Sequence, residues 1–463
     1  MNLNFNGRSL KRTALAMVLG AIAGTSYAQS TSGDIVGTAT SADKVQVKSL
    51  SSGATREANV SADGRFRISQ LPTGTYEVTT VSGGNPVATT RVTVVAGQQS
   101  FATFASANSS GATSLDTVNV RALGAANTID LGSVESRTTF TADKLNSLPV
   151  ARDITSVSLL TPGTVASSGY FGPASFGGAS AAENSYYVNG FNVTNLYDSL
   201  SFSEIPYQAI DQLDVQTGGY GAQYGFSTGG VTSVNVKRGT NEWKGGFSWT
   251  GTPDSLREKA PDTYYSDGSL FRSYDKNSSS SNVYSVWAGG PLIEDKLFVF
   301  AMGQFSNSKT GNFGNRGSQY TTNGRPPSAA ALSTSAYDYE SKTPYWLLKV
   351  DWYLNENNHL EYTGFDNSRR YSYDYYTAAY DSPNAGGEPA KTGDLGQLIG
   401  KSGGQTDVFK WTSYLTENLT ASLQYGQMRN RSSEHTISAD GVFDAYNGDI
   451  NSPQGACPYV LDY

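Results

Sequence analysis

Residues 210–225, IDQLDVQTGGYGAQYG, and residues 228–245, TGGVTSVNVKRGTNEWKG, decide how this chain folds. Each half reads as a strand in which apolar and polar residues alternate, from Ile210 to Gln216 and from Val231 to Val236. A glycine-rich turn separates them. Gly219 and Gly221 resemble the opening of a phosphate-cradling loop, but the third glycine, Gly225, falls one place late, and a strand follows instead of a helix N-terminus. The dinucleotide reading therefore fails. The glycines serve tight turns and close backbone approach.

Working toward the N-terminus, residues 136–241 carry further signals of a compact α/β unit. Short helices are expected at Thr141–Leu145 and Arg152–Leu160, ended by Pro162-Gly163. A strand at Tyr186–Val188 should run into a turn at Asn189-Gly190. Residues 106–135 are rich in Ser, Gly, Ala and Asn and read as a linker. One β-prone island interrupts it, Leu115-Asp116-Thr117-Val118-Asn119-Val120. An isolated strand can add to another protein's sheet edge, or it can belong to the next unit of its own chain. Residues 33–105 read as a small β-sandwich, with alternation at Val45/Val47, Phe66/Ile68 and Tyr76/Val78 and turns at Asp63-Gly64, Pro72-Thr73-Gly74 and Gly83-Gly84. At the start, Arg8, Lys11 and Arg12 precede the apolar run from Ala14 to Ala23, and Ser26-Tyr27-Ala28 supplies a small-residue cleavage site. Residues 1–28 thus read as an export signal.

Working toward the C-terminus, residues 242–463 alternate short strand-like runs with connections of two lengths. Trp346, Leu348, Val350 and Trp352 share one face of a run whose other face carries Lys349 and Asp351. Strands are expected near 243–250, 281–289, 296–306, 344–353, 359–366, 404–414 and 419–429. The connections at 290–295, 354–358 and 415–418 are short, and those at 251–280, 307–343 and 367–403 are long. Short turns alternating with long loops, and an apolar face backed by a polar one, are the marks of a transmembrane β-barrel.

Composition agrees. The 463 residues hold 50 Gly and 29 Tyr but only 2 His, 1 Cys and 4 Met, and the net charge is −7. An acidic chain without a basic block is a poor nucleic-acid binder, and no nucleic-acid partner is expected. His359 and His435 stand apart in sequence and Cys457 is alone, so no metal site, catalytic triad or internal disulfide is expected. Asp351 and Glu361 could mimic the paired carboxylates of a glycosidase, but lumen-facing charges of a barrel explain them better. No catalytic residue and no cofactor is assigned. An outer-membrane protein of binding, adhesion or surface assembly, without active transport, is the alternative reading.

The glycine-rich stretch resembles the end of the plug domain of TonB-dependent outer-membrane receptors, on Ala222, Tyr224, Gly225, Gly229, Gly230, Lys237, Gly239 and Asn241. Residues 61–78 resemble the carboxypeptidase regulatory-like domain, a structural or binding module, and the pair of resemblances is that of the Oar-like branch. The fold class expected is mainly β: a small N-terminal β-sandwich, an α/β plug domain, then the first strands of an incomplete transmembrane antiparallel barrel. The resemblance implies that the island Leu115–Val120 is a TonB box, bound by the inner-membrane energy-transducing TonB complex. It further implies outer-membrane lipid around the barrel and an unknown external substrate. The Tyr-rich run Tyr371, Tyr373, Tyr375 and Tyr376 is expected to contact ligand from a loop or to form a membrane-interface girdle. About seven strands fall short of the ~22 of plugged transporters, so a C-terminally truncated chain is expected.

Overall fold

The computed structural model of the protein describes residues 31–40, 42–104, 135–167, 172–195, 199–221, 224–225, 227–266, 268–316, 332–384, 386–416, 419–439 and 443–444. The export segment, the island Leu115–Val120, Ala222 and Cys457 lie outside the described residues.

Seven strands open the fold: β1 (Ser32–Thr38), β2 (Lys44–Ser49), β3 (Thr55–Asn59), β4 (Arg65–Pro72), β5 (Gly74–Ser82), β6 (Asn85–Val94) and β7 (Gln99–Ala102). They form two sheets, ordered β4-β1-β7 and β3-β2-β5-β6. Period-two alternation turns Val45, Val47, Phe66, Ile68, Tyr76 and Val78 inward, where they build one core with Ile35 and Leu71. The expected sandwich is present.

The central unit comprises β8 (Ser136–Thr141), α1 (Ala142–Ser147), α2 (Ile154–Ser158), β9 (Thr164–Val165), β10 (Ser175–Phe176), β11 (Ser185–Val188), β12 (Phe191–Asn192), β13 (Ile210–Gly218) and β14 (Val231–Val236). Its sheet runs β12-β11-β14-β13-β8, with β11 and β14 parallel and the other neighbours antiparallel. Asp153 caps α2 by accepting from the Ser156 amide at 2.7 Å. Phe140, Leu145, Ile154, Val157, Leu213 and Val234 form the core. That core does not stop at the unit's edge, because Phe300, Met302, Tyr345, Leu347 and Phe365 of the C-terminal sheet belong to it.

The C-terminal sheet contains β15 (Lys244–Thr252), β18 (Ser278–Ile293), β19 (Leu297–Phe313), β20 (Ser333–Asn355), β21 (Asn358–Asp366), β22 (Arg369–Tyr380), β23 (Pro389–Thr416), β24 (Leu419–Ser438) and β25 (Phe443–Asp444). A small pair, β16 (Thr263–Tyr264) and β17 (Leu270–Arg272), lies in the first long connection. Neighbours in the large sheet are antiparallel, in chain order. Strands β21 and β22 share one position between β20 and β23, broken at Asn367-Ser368. Trp346 faces Asp366 below the break and Lys342 faces Arg370 above it, so the register carries through. Tyr345, Leu347, Lys349 and Asp351 point inward. Trp346 and Trp352 point outward beside Phe247, Trp249, Val286, Phe409, Trp411, Leu423 and Tyr425, all exposed. An exposed apolar band backed by a polar inner face is the pattern of a transmembrane barrel wall.

Two expectations are corrected. The long connection at 367–403 is mostly strand, holding all of β22 and the first half of β23. Its Gly, Ser and Tyr content mimics a loop, yet it pairs along its length with its neighbours, with two register shifts between β22 and β23. The strand expected at 344–353 likewise runs from Ser333, 23 residues, where about 9–11 cross a bilayer. The wall therefore continues beyond the apolar band. Tyr371, Tyr373, Tyr375 and Tyr376 sit on β22 and not on a loop.

Candidate functional site

The site lies where the segment after β14 meets the wall. Val231 to Val236 is buried at every position and fixes the exit of the chain. Lys237 then donates its amide to the Ala209 carbonyl at 2.8 Å, and Arg238 turns toward β20 and β21. There Asp351 and Glu361 are directly opposed by register, and Lys410 opposes Glu361 from β23. Arg238 Nη1 lies 3.7 Å from Asp351 Oδ1, and Nη2 lies 3.9 Å from Glu361 Oε1. Lys349 Nζ is 3.0 Å from Glu361 Oε1 and 3.5 Å from Asp351 Oδ1, with Lys349 and Asp351 each only 1% exposed. His359 Nε2 is 3.3 Å from Asp351 Oδ1, and its ring stacks on Tyr353 at 4.2 Å. Burial pulls the Arg238 guanidinium down, but Asp351, Tyr353 and Glu361 outweigh it and hold the group above its ordinary value.

His359 is thus not isolated, which corrects the sequence expectation. Asp351, His359 and Glu361 offer ligand atoms within 4.8 Å of one another. Lys349 and Arg238 already neutralise the same carboxylates, so the cluster is built as an ion network. Arg238 and Lys410 were not singled out from sequence, and Lys349 and His359 were noted there without a role in a site. The signal was available in the strand alternation, which places Lys349 and Asp351 on the polar side, but the pairing partners needed the register.

The motif residues around this segment pack the units together. A Cβ on Gly239 would stand 2.5 Å from the Val299 carbonyl oxygen and 2.7 Å from that of Gly290, so the chain passes flush against the wall's backbone. Lys237 Nζ lies 5.7 Å over the Trp287 ring. Asn241 donates through Nδ2 to Asp295 Oδ1 at 2.7 Å and accepts from the Asp295 amide at 2.9 Å, tying the β18–β19 turn. Gly229 and Gly230 donate their amides to the Glu183 carbonyl and Asn184 Oδ1, both at 3.0 Å, and a Cβ on Gly230 would press on Phe176. Tyr224 is buried edge-on to Tyr187 at 5.4 Å, and the Gly225 carbonyl accepts from the Tyr187 hydroxyl at 3.3 Å. Above the seam, Asn189 Nδ2 donates to Thr363 Oγ1 at 2.8 Å, and Gln424 Nε2 donates to the Asn189 carbonyl at 2.9 Å.

The N-terminal sandwich closes the seam from the short-turn end. Thr73 donates to Asp211 Oδ2 at 3.1 Å, the Ala96 amide to Gln212 Oε1 at 3.1 Å, and Arg137 Nη1 to the Ala96 carbonyl at 3.1 Å. Tyr414 of the wall donates to the Gln70 carbonyl at 2.9 Å and lies under the Arg56 guanidinium at 3.9 Å.

The tyrosines divide. Tyr371, Tyr373 and Tyr375 fall on the inward face of β22, meeting Tyr337 and Tyr339 with centroids 4.7–6.5 Å apart. Tyr376 points the other way, under Lys391 Nζ at 3.9 Å.

Residues 131–232 match the family model described as TonB-dependent Receptor Plug Domain. The chain is 25% identical over 441 residues to the TonB-dependent transporter Oar of Myxococcus xanthus, covering 86% of this chain and 37% of that protein. Among solved structures, the outer membrane transporter YddB from Escherichia coli aligns with 16% identity and a TM-score of 0.36, covering 65% of this chain and 44% of that one. A ferric enterobactin receptor mutant (PfeA) from Pseudomonas aeruginosa aligns with 15% identity and a TM-score of 0.35, covering 65% and 46%. The chain therefore spans less than half the length of these relatives.

Proposed function

From a chain that carries the plug domain of TonB-dependent receptors and is Oar-like in sequence, we propose an outer-membrane receptor that takes up a scarce external substrate by energy-coupled movement of the plug. The division is an export signal at 1–28, a regulatory-like sandwich at 33–105, a linker at 106–135, the plug at 136–241 and the barrel wall from 242. Within it, Leu115, Asp116, Thr117, Val118, Asn119 and Val120 form the TonB box, between sandwich and plug.

One observation carries the reading. The plug shares its apolar core with the wall but is pinned by a buried ion network at Arg238, Asp351, Lys349 and Glu361. Such a contact is specific in geometry, and losing any one partner leaves buried charge uncompensated. The outer membrane offers no nucleotide to drive opening, so force through the linker supplies the work. Substrate reaches the plug past the inward tyrosines Tyr371, Tyr373 and Tyr375, which offer rigid aromatic area. Deleting Leu115–Val120 from the full-length protein tests this with labelled siderophore, oligosaccharide and peptide. The expected result is surface binding retained and uptake lost; uptake that survives the deletion contradicts the proposal.

A further inference from the structure

The N-terminal sandwich is attached in a different way from the plug. Its apolar core is its own, built from residues such as Ile35, Val47, Ile68 and Val78, whereas the core of the plug runs on into the wall. What holds the sandwich in place is polar and reaches both sides of the seam. On the plug side, Thr73 and the Ala96 amide bond Asp211 and Gln212 of β13, and Gln98 Nε2 donates to Thr139 Oγ1 of β8 at 3.1 Å. Just past the plug, the Asn241 amide donates to the Ser51 carbonyl at 2.8 Å. On the wall side, Tyr414 of β23 donates to the Gln70 carbonyl beneath the Arg56 guanidinium, and Lys410 donates to Thr31 Oγ1. Gly53 sits so close to the β18–β19 turn that a Cβ there would collide with the Asp295 carboxylate.

The sandwich end of the chain also borders the ion network. Thr31, next to β1, joins Asn189 of the plug and Lys349, Glu361 and Lys410 of the wall around a void of about 10 Å³, room for about one water. All three units therefore meet at Glu361. Lifting the sandwich takes Thr31 from Lys410 and opens this void to solvent. Charges that attract strongly in a dry setting attract far less in water, so the hold on Arg238 weakens with it.

We propose that the sandwich is a detachable strap on the plug: docked, it ties plug to wall and keeps the ion network dry, and it leaves the wall before the plug moves. A body with a closed core of its own comes away intact, because only polar contacts break and water replaces their partners. The inference rests on the proposed plug movement.

The test uses the full-length protein, its other cysteines replaced by serine, reconstituted in a planar phospholipid bilayer. Ionic current is followed as urea is raised on the side of the short turns. Gly53→Cys/Asp295→Cys brings two Cβ atoms within disulfide reach and ties the sandwich to the wall. Oxidised, this variant should pass current only at urea concentrations above those that open its own reduced form. That comparison holds constant the strain of a side chain at Gly53, whose φ is 69°. Thr73→Val/Tyr414→Phe removes one bond to the plug and one to the wall, and should open at about 0.5–1 M less urea than the unsubstituted protein. Identical urea profiles for the oxidised and reduced forms overturn the proposal, and so does a Thr73→Val/Tyr414→Phe variant that opens together with the unsubstituted protein. If the double cysteine variant does not fold, the second variant decides alone. A protein that passes no current at any urea concentration, in any form, defeats the plugged-barrel reading instead.

Discussion

At the scale of the residue, the account rests on buried charge. Removing one partner of a buried ion network leaves the others unpaired in a poor solvent for charge, typically at a cost of about 3–5 kcal/mol. Arg238→Ala should therefore loosen the plug by roughly that amount, with Arg238→Lys intermediate, because both Asp351 and Glu361 lose the cation that comes from the plug side. Limited proteolysis of the plug against urea concentration measures it; an unchanged midpoint would show that Lys349 alone suffices. Asp214 makes a second, independent prediction. Burial raises its carboxyl above the ordinary value, against the pull of Arg137 and hydrogen bonds from Thr139 and Gln212. A group raised on folding favours the folded state most below its unfolded value and loses that contribution as pH rises through the folded value. The melting temperature of the intact protein minus that of Asp214→Asn should thus fall between pH 4 and pH 7. A difference that grows over this range contradicts the assignment.

At the scale of the element, what the sequence could reveal depended on what set each element. Strands with one apolar face declare themselves: Trp346, Leu348, Val350 and Trp352 gave the outward side of β20, and Val45 and Val47 the inward side of β2. The glycine-rich stretch was legible because close backbone approach leaves glycine few substitutes, as at Gly230 against Phe176. Strand β22 was not legible. Its run RRYSYDYYTAAY alternates tyrosine with polar residues from Tyr371 to Tyr375, a pattern masked by its loop-like composition, and its register is set by pairing to β20 and β23, which no local pattern encodes. The ion network was hidden for the same reason, since Asp351 and Glu361 meet only across strands and Arg238 arrives from another unit. Gly239 provides the test at this scale. A methyl there meets two wall carbonyl oxygens that belong to paired strands and do not shift easily. Gly239→Ala should cost about 1–3 kcal/mol as overpacking and lift the plug's end from β18 and β19. Raised single-channel conductance of the reconstituted protein would report it; conductance equal to the unsubstituted protein would mean the seam yields elsewhere.

At the scale of the molecule, each of the three units bonds to the other two. The sandwich bonds to the plug through Thr73–Asp211 and Ala96–Gln212, the plug to the wall through Arg238 and Asn189, and the wall back to the sandwich through Tyr414. The island Leu115–Val120 falls in the chain between sandwich and plug, so under the proposed function tension on it would act on both. Under the proposed function, movement of the plug would break the sandwich contacts on β13, the ion network and the shared apolar core together. All of this requires the wall to stand in a membrane, with Phe247, Trp249, Phe409 and Trp411 in lipid. The most direct test is fractionation of cells making the native full-length protein, with boiled and unboiled samples compared on a denaturing gel and probed by an antibody to the plug. The account predicts a band in the outer-membrane fraction that migrates differently before and after boiling, as closed barrels do. A soluble band whose migration is indifferent to heat would contradict it.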